Sequence, residues 1–246
     1  MTACNIIHEA DAIYIFTDGA SYHSDGTLGA VAQKVWPLAH LNCALVCRGP
    51  HVLMPALIGD AGTIFASFDE LTAGIVPLAM ATYARHKDAL DLCSIGPDFD
   101  LFIAGWSEAR GQPETYVVCS HGTSVEAWSL VPLGPVAIAP FNGDLAEWAA
   151  INLERLQALD DPNAMGLELM EAQRGLKGQH AGTGEQIRGV GGFCQVTRIT
   201  PRSILTGILR RWPDEIGEPL GIEVMDLAKR NTASQTSTSP QTAGAA

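Results

Sequence analysis

The order in which apolar runs follow one another most constrains what this chain can fold into. The opening MTACNIIHEADAIYIFTDG holds two strand-like runs, residues 3–8 and 12–17, rich in Ile, Tyr and Phe, and the acids between them favour a turn. Two further short runs follow in GAVAQKVWPL and LNCALVCRG. A helix is expected from Ser67 to Leu90, because Ser67 and Glu70 stand three apart as a capping box, and Pro77 is expected to kink it. DLFIAGWSEARGQPETYVVCSHG reads as strand, turn and strand, and GPVAIAP as one more strand. Helices are expected at 144–158 and 162–174, the second with Asp161 as N-cap and Pro162 at its first position. GFCQVTRIT is then a final strand, followed by a mixed apolar segment to about residue 228. Strands and helices come in separate runs rather than in strict alternation. That order excludes a doubly wound parallel sheet and predicts an α+β protein with antiparallel sheets layered against helices.

One large domain, residues 1–229, accounts for this pattern, since 47% hydrophobic content over 246 residues is enough for a substantial core. From Arg230 the chain reads RNTASQTSTSPQTAGAA, with no large apolar residue, and residues 230–246 are expected to be a disordered tail. The formal charge of -12 argues against nucleic acid and anionic membrane surfaces as partners. The longest apolar run, Leu71 to Ala84, is broken by Thr72, Gly74 and Pro77 and falls short of the roughly 20 residues a bilayer requires. With no basic n-region or cleavage pattern at the start, the expectation is a cytoplasmic protein. Cys4, Cys43, Cys47, Cys93, Cys119 and Cys194 lie mostly in apolar segments and read as reduced thiols. Neither the cysteines nor the histidines show metal-ligand spacing, so no metal and no cofactor is expected. GTGEQIRGVGG matches no phosphate-loop pattern and reads as a turn, and Ser120-His121 lacks the GxSxG context of a serine hydrolase.

Thr2 is the residue with the sharpest chemistry. A small second residue lets the initiator Met1 be trimmed, leaving a hydroxyl nucleophile that carries its own α-amine as base. Counted from Thr2, Asp18 is seventeenth and Lys34 thirty-third. That register resembles the nucleophilic Thr, the Asp and the Lys of proteasome β subunits and of the bacterial HslV peptidase. IFTDGAS is similar to the segment that holds the family's Asp, GAVAQKV to the one that bears its Lys, and LFIAGWSEARGQPETYVVCSHG to its central hairpin. The likeness spans about residues 2–199. It implies the four-layer αββα sandwich of N-terminal-nucleophile (Ntn) hydrolases and a threonine-type peptidase or amidase. It also implies a peptide or protein substrate, a ring-like homo-oligomer and an ATP-dependent unfolding partner.

By that resemblance Thr2 is the nucleophile, Lys34 its electrostatic partner and Asp18 the group that orients Lys34, while Gly49 lies one place from the family's oxyanion glycine. The chemistry suits these residue types. An α-amine with an ordinary pKa of about 7.7–8 is a base matched to neutral pH, and a neighbouring ammonium favours its neutral form. The chain departs from the family after GPVAIAP, where Phe141-Asn142-Gly143 replaces a Ser-Gly motif. It departs again before the last strand, where the family carries an Asp and a Ser and Glu185 is the nearest acid here. The alternative is a non-catalytic assembly or structural protein that retains the Ntn-hydrolase fold.

Overall fold

The two opening runs pair as an antiparallel hairpin, β1 (Cys4–His8) with β2 (Ile13–Asp18), register Cys4 to Thr17 and His8 to Ile13. These strands come from a computed structural model that describes residues 2–123, 125–179 and 183–220. A small ribbon follows, β3 (Ala20–Tyr22) with β4 (Leu28–Val31), and then β5 (Val35–Leu38) and β6 (Cys43–Arg48). The segment GAVAQKVWPL is therefore two strands in two different sheets. Next come the helices α1 (Met54–Ile64), α2 (Phe68–Arg85) and α3 (Lys87–Asp91). After them run β7 (Asp100–Ser107), β8 (Gln112–Cys119), β9 (Val131–Pro132) and β10 (Val136–Ala139). The helices α4 (Gly143–Ile151), α5 (Leu153–Gln157) and α6 (Pro162–Gly175) lead to the short pair β11 (Gly178–Gln179) and β12 (Gln186–Ile187). A long hairpin, β13 (Phe193–Thr200) and β14 (Ser203–Arg211), completes the described fold.

Two five-stranded antiparallel sheets dominate, ordered β10-β1-β2-β13-β14 and β5-β6-β7-β8-β9. The period-two alternation of strand side chains explains how each is covered. Cys43, Leu45 and Cys47 of β6, with Leu101 and Ile103 of β7, pack against Leu57 of α1 and Leu71 and Ile75 of α2. Their neighbours Ala44, Val46, Phe102 and Ala104 face the other way and meet Cys4, Ile6, Ile13 and Ile15 of the first sheet. On the far side of that sheet Ile7 and Phe16 pack with Leu169 and Met170 of α6. The protein is thus mixed α+β, with antiparallel sheets and, among the described residues, six α-helices.

Local signals behave as their chemistry dictates. Ser67 Oγ accepts from the Glu70 amide at 3.1 Å, while the Glu70 carboxylate reaches one residue further back, to the Ala66 amide at 2.9 Å. The 18-residue α2 runs on through Pro77. Asp161 caps α6 by accepting from the Asn163 amide. The stretch expected as one helix over 144–158 is divided at Asn152, whose side-chain amide donates to the Trp148 carbonyl at 2.8 Å. No helix among the described residues is long and apolar enough to cross a membrane. The tail expected over 230–246 lies outside the described residues.

Candidate active site around Thr2, Asp18 and Lys34

Asp18 ends β2 with no exposed surface, and the geometry of the strand end supplies its carboxylate with donors on both oxygens. Oδ1 accepts from Lys34 Nζ at 2.8 Å and from the Ala3 amide at 3.0 Å. Oδ2 accepts from the Ala20 amide at 3.0 Å and, at 3.4 Å, from that of Gly191. Lys34 is 3% exposed and stands one residue before β5. Burial holds its ammonium below the ordinary lysine value and the Arg48 cation adds to that, while Asp18 pulls the other way. Perturbed lysines cluster at functional sites, and buried structural ion pairs perturb them as well.

Thr2 precedes β1, is 4% exposed, and accepts a hydrogen bond on its carbonyl from Arg48 Nε at 2.9 Å. Together with Lys34 and Gly49 it lines a cavity of about 890 Å³. Gly49 follows β6 at φ +134°, and a Cβ there would stand 2.6 Å from the Asp98 carbonyl oxygen. Only glycine fits that close approach. The four residues singled out in the sequence fall in one region: Asp18 and Lys34 as a buried pair, with Thr2, Gly49 and Lys34 on the wall of the same cavity.

Several neighbours escaped the sequence reading. Arg48 Nη1 donates to Asp100 Oδ2 at 2.9 Å, and Asp100 Oδ1 lies 3.1 Å from His121 Nε2. His51, also on the cavity wall, has its pKa lowered to about 4, by burial first and by the Lys34 cation second. Arg174 forks onto Asp214 at 2.8 and 2.6 Å and donates to the Val190 carbonyl at 3.0 Å, and Asp214 Oδ2 accepts from the Gly192 amide at 2.7 Å. This buried clamp fixes the turn whose Gly191 amide reaches Asp18. The one local signal for Arg48 is a lone cation at the end of the apolar run ALVCRG.

The departures noted in sequence have structural counterparts. Asn142 lines the cavity, but its Oδ1 accepts from the Leu145 amide and caps α4. Glu185 is exposed and is not part of the cavity wall. Ser120 and His121 serve different partners, Ser120 Oγ accepting from the Phe99 amide while His121 pairs with Asp100. All six cysteines are free, and among the described residues no group of three or more His, Cys, Asp or Glu side chains could hold a metal ion. No family model matches this chain, and no curated protein matches it in sequence.

Proposed function

We propose that the protein is a threonine-type Ntn hydrolase of the proteasome and HslV kind, cleaving peptide or amide bonds with Thr2 as nucleophile once Met1 is removed. On this reading the helices and two sheets are the layers of an αββα sandwich. The observation that carries it is the buried Lys34–Asp18 pair at 2.8 Å, with Lys34 lining the same cavity as Thr2. A freed Thr2 amine takes the hydroxyl proton, the hydroxyl oxygen attacks the scissile carbonyl, and the amine then hands the proton to the leaving nitrogen. On this reading Lys34 favours the neutral amine and the developing negative charge, Asp18 holds Lys34 in place, and the Gly49 backbone N–H is assigned to the oxyanion. Water completes the cycle by releasing the acyl group. The same reading carries a ring-like homo-oligomer that encloses its sites and an ATP-dependent unfoldase that feeds them.

One observation favours the second reading, a non-catalytic assembly protein of this fold. Where the family places a serine, Asn142 spends its side-chain oxygen on a helix cap, and Glu185 lies off the cavity wall. Intact-protein mass and an epoxyketone probe, which forms a ring with an N-terminal threonine's hydroxyl and amine, separate the two. The hydrolase reading expects loss of Met1 and one covalent adduct, absent in Thr2→Ala. Retained Met1, or labelling that survives Thr2→Ala, leaves the assembly reading in place.

A further inference from the structure

β1 begins at Cys4, so Thr2 and Ala3 lie ahead of the strand ladder that would otherwise hold them. The peptide group between them is held from two directions. Its N–H, on Ala3, donates to Asp18 Oδ1 at 3.0 Å, and its C=O, on Thr2, accepts from Arg48 Nε at 2.9 Å. Asp18 belongs to one five-stranded sheet and Arg48 to the other. A peptide group is planar, and donor and acceptor point from opposite edges, so fixing both edges fixes the plane. The Thr2 Cα, and with it the side chain and the amine, is then placed by what remains of the residue's rotation about a single bond.

We propose that Arg48 is a positioning residue which, opposite Asp18, clamps the Thr2–Ala3 peptide plane and so sets the direction of the Thr2 hydroxyl and amine at the cavity. The proposal rests on the threonine-hydrolase reading above. Arg48 is itself braced. It stands opposite Asp100 in the β6/β7 register, donates Nη1 to that carboxylate, and Asp100 in turn meets His121, whose Nδ1 is 2.9 Å from Thr123 Oγ1. The rigid fork is what allows one side chain to serve a carbonyl and a carboxylate together. A lysine offers a single ammonium on a flexible stem and cannot hold both at these angles.

The guanidinium also carries charge to the right place, since only the backbone of Thr2 separates it from the amine. The titratable and charged groups on the cavity wall are Tyr22 from β3, Lys34 before β5, Arg48 from β6, His51 after it, Asp98 before β7 and Asp100 in it, His121 after β8 and Lys177 after α6, with Asp18 of β2 paired to Lys34 and Cys4 in β1 held neutral by a pKa of about 12. Of the three cations, Arg48 bonds the Thr2 carbonyl and Lys34 shares Asp18 Oδ1 with the Ala3 amide, and both favour the unprotonated amine.

Epoxyketone labelling of the trimmed protein, followed as maximal rate and half-saturating concentration across pH, tests the clamp. Arg48→Lys keeps the charge and loses the fork, so the maximal rate should fall about 10- to 100-fold, half-saturation should stay within about twofold, and the acid limb should not move. Arg48→Met should show the same fall, and its acid limb should shift to higher pH because the amine has lost a neighbouring cation. Should both variants unfold, Asp100→Asn, which leaves the guanidinium but frees its brace, should slow labelling with half-saturation unchanged. Rates within twofold of the parent in folded Arg48→Lys, or in Asp100→Asn, would overturn the clamp alone. A parent protein that is never labelled overturns the hydrolase reading and the clamp with it.

Discussion

Lys34 is a cation taken almost wholly out of water, and its partner Asp18 is a carboxylate that already accepts from three backbone amides. Removing such a cation costs more than losing a contact, because Asp18 would remain buried with its charge uncompensated; breaking one half of a buried pair typically costs about 3–5 kcal/mol. Lys34→Ala is therefore expected to lower stability by that order in urea unfolding and to abolish probe labelling. Thr2→Ala, which leaves the pair intact, should abolish labelling with almost no change in the unfolding midpoint. The double variant should label no worse than either single one, since both residues serve one step. The register of Thr2, Asp18 and Lys34 stood out in the sequence through its family resemblance, and the pairing of Asp18 with Lys34 is made by the β1/β2 hairpin and the β3/β4 ribbon that follows it. Arg48, Asp100 and His121 did not stand out. Arg48 and Asp100 are 52 positions apart and meet only because β6 and β7 align them, a register that no local spacing announces.

At the level of elements, the approach of α6 to the first sheet depends on a gap in its side chains. A Cβ on Gly166 would fall 2.3 Å from the Phe16 ring, which is fully buried and cannot swing away. Gly166→Ala is expected to push α6 off β2 and to destabilise the fold by about 1–3 kcal/mol despite alanine's better helix propensity, read as a lower urea midpoint. An exposed control, Gly143→Ala, meets nothing within 4 Å and should show no such loss. The β1/β2 hairpin and the starts of α2 and α6 were readable because turn acids and caps act over three or four residues. The helix α1 was missed. Its MPALIGDAGTI carries a proline and two glycines that depress propensity, and only packing of Met54, Leu57 and Ala61 against the second sheet selects the helix. The strand β14 was missed for the opposite reason, since as an edge strand exposed along most of its length it shows no buried alternation.

Across the whole molecule, thiols set the alkaline limit. Burial pushes Cys4, Cys43, Cys47, Cys119 and Cys194 up to about 12 from an ordinary 9.0, with Asp100 adding to the effect at Cys119. Above pH 9 the unfolded chain releases these protons while the folded chain keeps them, so stability falls as pH rises, by at most about 1.4 kcal/mol per pH unit for each thiol. Lys34, with its lowered folded pKa, contributes a rise with pH below about 10.5, one group against five. Urea unfolding under reducing conditions should therefore show stability dropping steeply between pH 9 and 11, with a shallower slope in Cys47→Ala whatever that substitution does at pH 7. The two contacts that hold the first peptide group have another consequence. Both lie on the carboxyl side of the Thr2 Cα, one on its carbonyl and one on the amide that follows, and neither asks for a free amine. The uncut chain can thus build the same site as the cut one. On the proposed chemistry its latency is covalent rather than conformational: a precursor waits fully formed, and a single hydrolysed bond, with no refolding, arms it.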